Sequence, residues 1–178
     1  MNFNLSIVRL KTMFYLFLGK IRSVPPKIEL PNNKKVKEVI IFFPIEESLF
    51  RLSLYSFREF NLHRDNINYH FIINQKFQNI INLSGPNLIF VNHKKNKIKF
   101  CDSNQQSILD KSQIDVIVDL NVNFSFGPSK FISYLKSGIK IGFKSNFSDY
   151  FYNLQLKANN KGTVENSYQK IQQILSSL

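Results

Sequence analysis

Short apolar runs, many of them rich in β-branched residues, recur along the chain after residue 36 and are separated by polar stretches. Runs of this length that are apolar throughout are typical of strands buried on both faces of a sheet. The pattern predicts five such strands, at Val39–Phe43, Tyr69–Ile73, Asn87–Val91, Ile114–Leu120 and Ile139–Phe143. The lysine-rich segment Lys94–Lys99 is predicted to be a solvated loop.

Helical spacing of apolar residues appears between these strands. Phe50, Leu54 and Phe57 mark one face of a helix after the first strand, and Gln75–Ile81 is predicted to be a short helix. Thr163 can cap a final helix, in which apolar residues recur every three or four positions to the last residue. The alternation of strands and helices predicts an α/β fold, a three-layer Rossmann-like domain with a mostly parallel sheet over residues 34–178.

The stretch Asp115–Phe143 is the clearest single unit, with the sequence DVIVDLNVNFSFGPSKFISYLKSGIKIGF. Gly127-Pro128 opens a short helix, since proline suits the first helical turn. Gly138 is predicted to stop that helix in a left-handed turn, before the next strand begins. A strand, a helix and a second strand in this order form a βαβ unit of a parallel sheet.

The first 33 residues differ from the rest and are predicted to be a basic amphipathic helix followed by a proline-containing linker. Leu10, Phe14, Phe17, Leu18 and Ile21 share one helical face. Two interpretations stay open. The helix packs on its own domain, or it lies on an anionic membrane surface with its aromatic residues at the headgroup boundary.

The net charge of +12 is unevenly distributed along the chain, and this bears on the role of the basic N-terminal segment. Residues 1–37 hold eight Lys and Arg against Glu29, and residues 92–100 hold four lysines. A basic anchor on a nearly neutral domain fits this distribution better than a uniform nucleic-acid-binding face. The candidates for membrane or polyanion contact are Arg9, Lys11, Lys20, Arg22, Lys94, Lys95 and Lys97. Composition biased toward Phe, Ile, Asn and Lys is also what AT-rich codons encode, so genome composition is a second explanation of the basic excess.

Candidate chemistry lies after the fourth predicted strand. Ligands of open α/β sheets bind in the crevice at the carboxyl ends of the strands. That crevice is predicted to be lined by Asp119, Asn121, Asn123 and Ser125. A purely structural role for Asp119 is equally open, because an aspartate at a strand exit often forms an Asx-turn.

The block from Val116 to Phe143 resembles the N-terminal domain of the ADP-heptose:lipopolysaccharide heptosyltransferases, glycosyltransferase family nine. Asp119-Leu120 stands where the family's strand ends, and Asn121 and Asn123 stand in its polar turn. Gly138 and the strand end Ile141-Gly142-Phe143 complete the match. The looser likeness extends over residues 36–178 and implies one half of a GT-B fold.

The resemblance implies a domain that binds a sugar or glycolipid acceptor in envelope polysaccharide or lipopolysaccharide synthesis. Glu46-Glu47 stands in place of the family's Gly-Asp, and Glu47 is the better match to its general base. Glu46, Asp119, Asn121, Asn123, Ser125 and Lys130 would bind the acceptor, with Lys140 or Lys144 as further phosphate contacts. The family's nucleotide-sugar domain has no counterpart in the sequence, which implies a separate nucleotide-sugar-binding subunit.

A second hypothesis is a non-catalytic binding or scaffold protein, attached by its basic segments to a membrane, an RNA or a larger assembly. We do not expect a nucleic-acid partner, because no RNP-type, helix-turn-helix or zinc motif is present. No dinucleotide fingerprint, P-loop or metal-ligand spacing occurs, so we expect no cofactor and no metal. A single cysteine and the lack of a long apolar span predict a cytoplasmic protein, with peripheral attachment to the inner face of the cytoplasmic membrane.

Overall fold

The computed structural model describes residues 3–21, 28, 35–58, 60, 67–81, 87–94, 96–111, 113–158 and 163–177. In this part of the chain the strands are β1 (Glu38–Phe42), β2 (Asn68–Asn74), β3 (Asn87–Lys94), β4 (Lys97–Phe100), β5 (Val116–Asp119), β6 (Ile139–Phe143) and β7 (Leu154–Leu156). They form one sheet in the order β4-β3-β2-β1-β5-β6-β7. All neighbours pair in parallel except β3 and β4, so the predicted mostly parallel α/β sheet is confirmed.

Helices cover both faces of this sheet and make it the middle of three layers. The α-helices are α1 (Phe3–Phe17), α2 (Glu47–Phe57), α3 (Ser103–Lys111), α4 (Phe126–Tyr134) and α5 (Val164–Ser177), with 3₁₀ turns at Gln75–Ile80 and Ser148–Tyr150. Residues of α2 and α5 pack on one face, and residues of α1, α3 and α4 pack on the other. The domain is therefore Rossmann-like.

Each face of the sheet carries its own core of aliphatic and aromatic side chains. On the α2 and α5 face, phenylalanines pack against one another, and the rings of Phe50 and Phe77 stack with centroids 4.3 Å apart. On the opposite face Ile40, Ile117 and Ile132 are fully buried, and aromatic rings pack there too, with the ring centroids of Phe124 and Phe147 5.1 Å apart. Alternate residues of each buried strand supply the two cores, as the pleat requires.

The N-terminal helix α1 is attached to the second core by one face. Tyr15 packs edge-on against Phe126 with ring centroids 5.5 Å apart, and Val8 and Leu16 contact the same core. Thr12 is buried, and its hydroxyl donates to the carbonyl of Val8. The other face of α1 is exposed. The predicted linker lies mostly outside the described residues.

Three details differ from the sequence predictions. The expected loop at Lys94–Lys99 overlaps the end of β3 and most of β4, an edge strand in which lysines alternate with Ile98 and Phe100. The helix α3 and the short strand β7 were not predicted. The predicted left-handed stop at Gly138 is wrong, because α4 already ends at Tyr134 and Leu135 leaves it in extended conformation (φ −70°, ψ 131°).

Candidate functional site

The strand order reverses direction between β1 and β5, and this fixes the position of the candidate site. From β1 the chain moves outward through β2 and β3, and after β5 it moves outward through β6 and β7 on the other side. In doubly wound sheets the connections leaving these two central strands go to opposite faces, which opens a crevice at their carboxyl ends. Here the crevice lies between the loop at residues 43–46 and the loop at residues 120–125.

Asp119, the last residue of β5, is 1% exposed and lies under the start of α4. The hydroxyl of Tyr152 donates to its Oδ2 at 2.5 Å. Its Oδ1 accepts from the backbone N–H of Asn121 at 2.9 Å and from the Asn121 side-chain amide at 2.7 Å. The bond from the backbone of Asn121 is the Asx-turn considered in the sequence analysis. Both carboxylate oxygens are thus occupied by the protein itself.

Burial is the main influence on the acidity of this pair. It raises the pKa of Asp119 above its usual value, and the hydrogen bonds from Tyr152 and Asn121 oppose that shift. Burial also raises the pKa of Tyr152 well above its usual value, and the neighbouring carboxylate of Asp119 adds to the effect. Tyr152 therefore stays protonated and serves as a permanent hydrogen-bond donor to Asp119.

Asn121 connects the two loops of the crevice. Its side-chain oxygen accepts from the backbone N–H of Ile45 at 3.0 Å, while its amide group donates to Asp119. Asn121 is itself buried. One side chain therefore ties the loop after β1 to the end of β5, and the buried Asp119 holds that side chain in position.

The exposed groups of the crevice are Glu46 and Asn123. The amide of Asn123 donates to Oε2 of Glu46 at 3.4 Å across the two loops, and the hydroxyl of Ser48 donates to Oε1 of the same carboxylate at 2.8 Å. Ser125 is half-buried at the N-cap position of α4, and its hydroxyl makes no capping hydrogen bond. These side chains form the solvent-facing rim above the buried network.

The remaining predicted site residues are engaged elsewhere. Glu47 lies in the first turn of α2 and forms an exposed ion pair with Arg51 at 2.8 Å. The ammonium of Lys130 lies 4.2 Å from the ring centroid of Tyr15. Lys140 is buried and donates to the carbonyls of Ile132 and Ser133 at the end of α4, where a cation is favoured.

The described basic residues proposed for membrane or polyanion contact lie on or just after α1 and at the β3–β4 hairpin. Arg9 and Lys20 are exposed on or just after α1, while the ammonium of Lys11 lies 5.1 Å from the ring of Phe126. Lys94 and Lys97 are exposed at the β3–β4 hairpin, on the edge of the sheet. Lys144, expected as a phosphate contact of the crevice, is exposed after β6. Arg22 and Lys95 lie outside the described residues.

Two tyrosines of the site were missed by sequence reasoning. Tyr152 completes the hydrogen bonding of Asp119, and the hydroxyl of Tyr168 on α5 donates to the carbonyl of Leu120 at 3.1 Å. Burial raises the pKa of Tyr168, and the carboxylates of Asp119 and Glu46 add to the shift. The helical spacing of Tyr168 indicated a core residue, and nothing in the sequence linked Tyr152 to β5.

Within the described residues, no group of three or more histidine, cysteine or acidic side chains could hold a metal ion. No helix in the same part of the chain combines the length and apolar character that a membrane crossing needs. The chain matches no protein-family model, no curated protein and no solved structure. The chemistry of the crevice is therefore the basis for inferring function.

Proposed function

We propose that this domain binds a hydroxyl-rich ligand, the sugar or glycolipid acceptor of a glycosyltransferase, in the crevice between β1 and β5. The observation that carries the proposal is the carboxylate of Glu46, which stands at the mouth of the crevice beside Asn123. A carboxylate and an amide on two facing loops provide acceptors and donors for vicinal hydroxyls of one sugar ring.

The acidic start of α2 favours a neutral ligand over a nucleotide. Rossmann domains that bind nucleotides place the pyrophosphate at the N-terminus of the helix after β1, where glycines allow close approach. Here that turn carries Glu46 and Glu47, and their carboxylates would repel a phosphate bound at the start of α2. A neutral sugar carries no such penalty and gains hydrogen bonds to the same carboxylate.

The buried network under the rim supports the proposal because it fixes the geometry of the crevice. Asn121 holds the backbone of Ile45 next to the end of β5, and Asp119 and Tyr152 hold Asn121. Loops kept in place before binding lose less conformational freedom when a ligand arrives. In this proposal Asp119 and Asn121 position the two loops, and the rim residues contact the ligand.

The resemblance to glycosyltransferase family nine supplies the reaction class of the proposal. Glu47 as general base is part of that proposal, and deprotonation of an acceptor hydroxyl would require it to leave its ion pair with Arg51. The sugar donor would come from a nucleotide-sugar-binding subunit. We place the reaction at the inner face of the cytoplasmic membrane, where glycolipid acceptors are assembled.

Saturation-transfer NMR with the wild-type protein tests the proposal, using free hexoses, heptoses and uncharged oligosaccharides of these sugars as probes. We expect transfer to at least one saccharide class, and about fivefold weaker binding in Glu46→Gln and in Asn123→Ala for each hydrogen bond lost. Glu38→Gln is the matched control, since Glu38 lies at the opposite end of β1. No transfer to any saccharide, or equal weakening by the control, would overturn the proposal.

A further inference from the structure

Exposed large hydrophobic side chains in the described part of the chain are concentrated on the outer face of α1. The side chains of Phe17 and Leu10 are 89% and 73% exposed. Four neighbours on the same side of the helix are also exposed, namely Ile7, Met13, Phe14 and Leu18. At 100° per residue these six positions fill one continuous arc of the helix surface. Contiguous apolar surface of this kind marks a site of contact with another apolar surface.

The helix is held to the domain by its opposite face, so this exposure is not caused by a detached segment. Tyr15 packs on Phe126 of α4, and the ammonium of Lys130 lies over the Tyr15 ring. Ile21, predicted to share the outer face, follows the end of α1 and is instead buried in the same core. The domain therefore presents α1 with its apolar arc turned outward.

Charge around the arc favours an anionic partner. The sequence contains five basic residues and no acidic residue before Glu29. Arg9 is exposed on α1 beside the arc, and the exposed Lys20 follows the helix, with its ammonium 5.9 Å from the ring centroid of Tyr15. A second copy of the chain would place the same cations against each other across a two-fold interface, whereas a bilayer with anionic lipids supplies both apolar depth and negative charge.

A groove beside α1 adds a place for a headgroup. It lies between the helix and the segment linking β6 to β7, and it is lined by Ser6, Arg9, Asn146, Phe147 and Tyr150. Arg9 provides the cation, and Ser6 and Asn146 provide neutral hydrogen-bonding groups. The groove opens next to the arc, within the reach of a lipid phosphate when the arc enters the interface.

We propose that α1 docks the domain on an anionic bilayer surface, with the arc from Ile7 to Leu18 in the interface and Arg9 contacting lipid phosphate. The helix lies in the plane of the membrane without crossing it. The face of α1 is distinct from the crevice residues, so the proposal goes beyond acceptor binding and is tested separately.

Vesicle co-sedimentation tests this proposal with the full chain and two vesicle compositions, phosphatidylcholine alone and phosphatidylcholine with one quarter phosphatidylglycerol. We expect binding to the anionic vesicles, weakening as salt is raised. Phe17→Ser and Leu10→Ser should each reduce the partition coefficient about tenfold or more, because each removes a large exposed apolar side chain from the interface. Arg9→Gln should reduce the preference for anionic vesicles.

Tyr55→Ser is the matched control, since Tyr55 is a 66% exposed aromatic residue on α2, on the opposite face of the sheet. Its partition coefficient should equal that of the wild type. Circular dichroism of each variant confirms that it is folded. Absence of binding to either vesicle, or equal loss with Tyr55→Ser, would overturn the proposal. A dimer in sedimentation velocity that Phe17→Ser dissociates would overturn it in favour of a second copy of the chain.

Discussion

Replacing Tyr152 by phenylalanine removes one oxygen atom from the buried network at the end of β5. The lost hydroxyl donates at 2.5 Å to Asp119, whose carboxylate is 1% exposed and has no solvent to replace the donor. A hydrogen bond to a charged group contributes about 1.5–3 kcal/mol to the free energy of unfolding. The upper part of this range applies here, because the buried carboxylate would be left without a donor. Ser129 also contacts this hydroxyl, but its own hydroxyl still donates to the carbonyl of Ser125.

We therefore expect Tyr152→Phe to lower the free energy of unfolding by about 2–3 kcal/mol. With a slope of about 2 kcal/mol per molar urea, the unfolding midpoint falls by about 1–1.5 M. Urea titration followed by circular dichroism measures this shift. Tyr150→Phe is the control, because Tyr150 is a half-buried tyrosine two positions away, and its variant should stay within about 0.5 kcal/mol of the wild type.

A double-mutant cycle with Asp119→Asn separates the charge from the packing. In the Asp119→Asn background no carboxylate remains, so the same Tyr152→Phe substitution should cost about 1 kcal/mol, the contribution of a neutral hydrogen bond. The coupling energy is then at least about 1 kcal/mol. An equal cost in both backgrounds, or a cost no greater than that of Tyr150→Phe, would refute the reasoning.

Three further outcomes follow from the same part of the molecule. Asn121→Ala should lower the free energy of unfolding by about 2 kcal/mol. Amide hydrogen exchange at Ile45 should become faster, because its N–H loses its acceptor, and unchanged exchange would contradict the role of Asn121 in connecting the two loops. Burial raises the pKa of Asp119 in the folded state. Protonation of Asp119 therefore stabilises the fold at a pH below 3.8, its ordinary pKa, and this stabilisation is lost as the pH rises through the pKa of the folded state. Wild-type stability measured relative to Asp119→Asn should therefore fall as pH rises from about 4, with a slope of at most about 1.4 kcal/mol per pH unit, and a flat difference would show that the carboxylate is not shifted. In Gly142→Ala the new Cβ would lie 2.6 Å from the buried Tyr152 ring, so the thermal midpoint should drop by roughly 2–12 °C, and an unchanged midpoint would show that the ring moves freely.

The layered fold was predictable because its strands are short, apolar and bounded by polar residues. The predicted run Val39–Phe43 corresponds to β1 with one residue of shift, and Ile139–Phe143 matches β6. The edge strand β4 was missed because its lysines suggested a loop, although Lys97, Ile98, Lys99 and Phe100 alternate as a half-buried strand does. The helix α3 has a mostly polar sequence, in which buried Leu109 alone does not make a helical pattern of apolar residues.

Only those features of the site that depend on residues close together in the chain were predictable from the sequence. Polar residues after a buried strand placed Asp119 and Asn121 at the end of β5. Whether they face solvent or the protein depends on Tyr152, which lies 33 positions further along the chain and approaches through the β6–β7 connection. The relation of Glu46 to Asn123 likewise depends on β1 and β5 being neighbours, which a single sequence pattern does not specify.

The central claim is that a saccharide binds at the carboxyl ends of β1 and β5. Two-dimensional ¹H–¹⁵N NMR of the isotope-labelled protein, titrated with the saccharides that show saturation transfer, tests it most directly. We expect the largest shift changes on residues 44–48 and 120–125, and about five times more saccharide should be needed to produce them in Glu46→Gln. Shift changes confined to α1 or to the β3–β4 hairpin, or no change at millimolar saccharide, would contradict it.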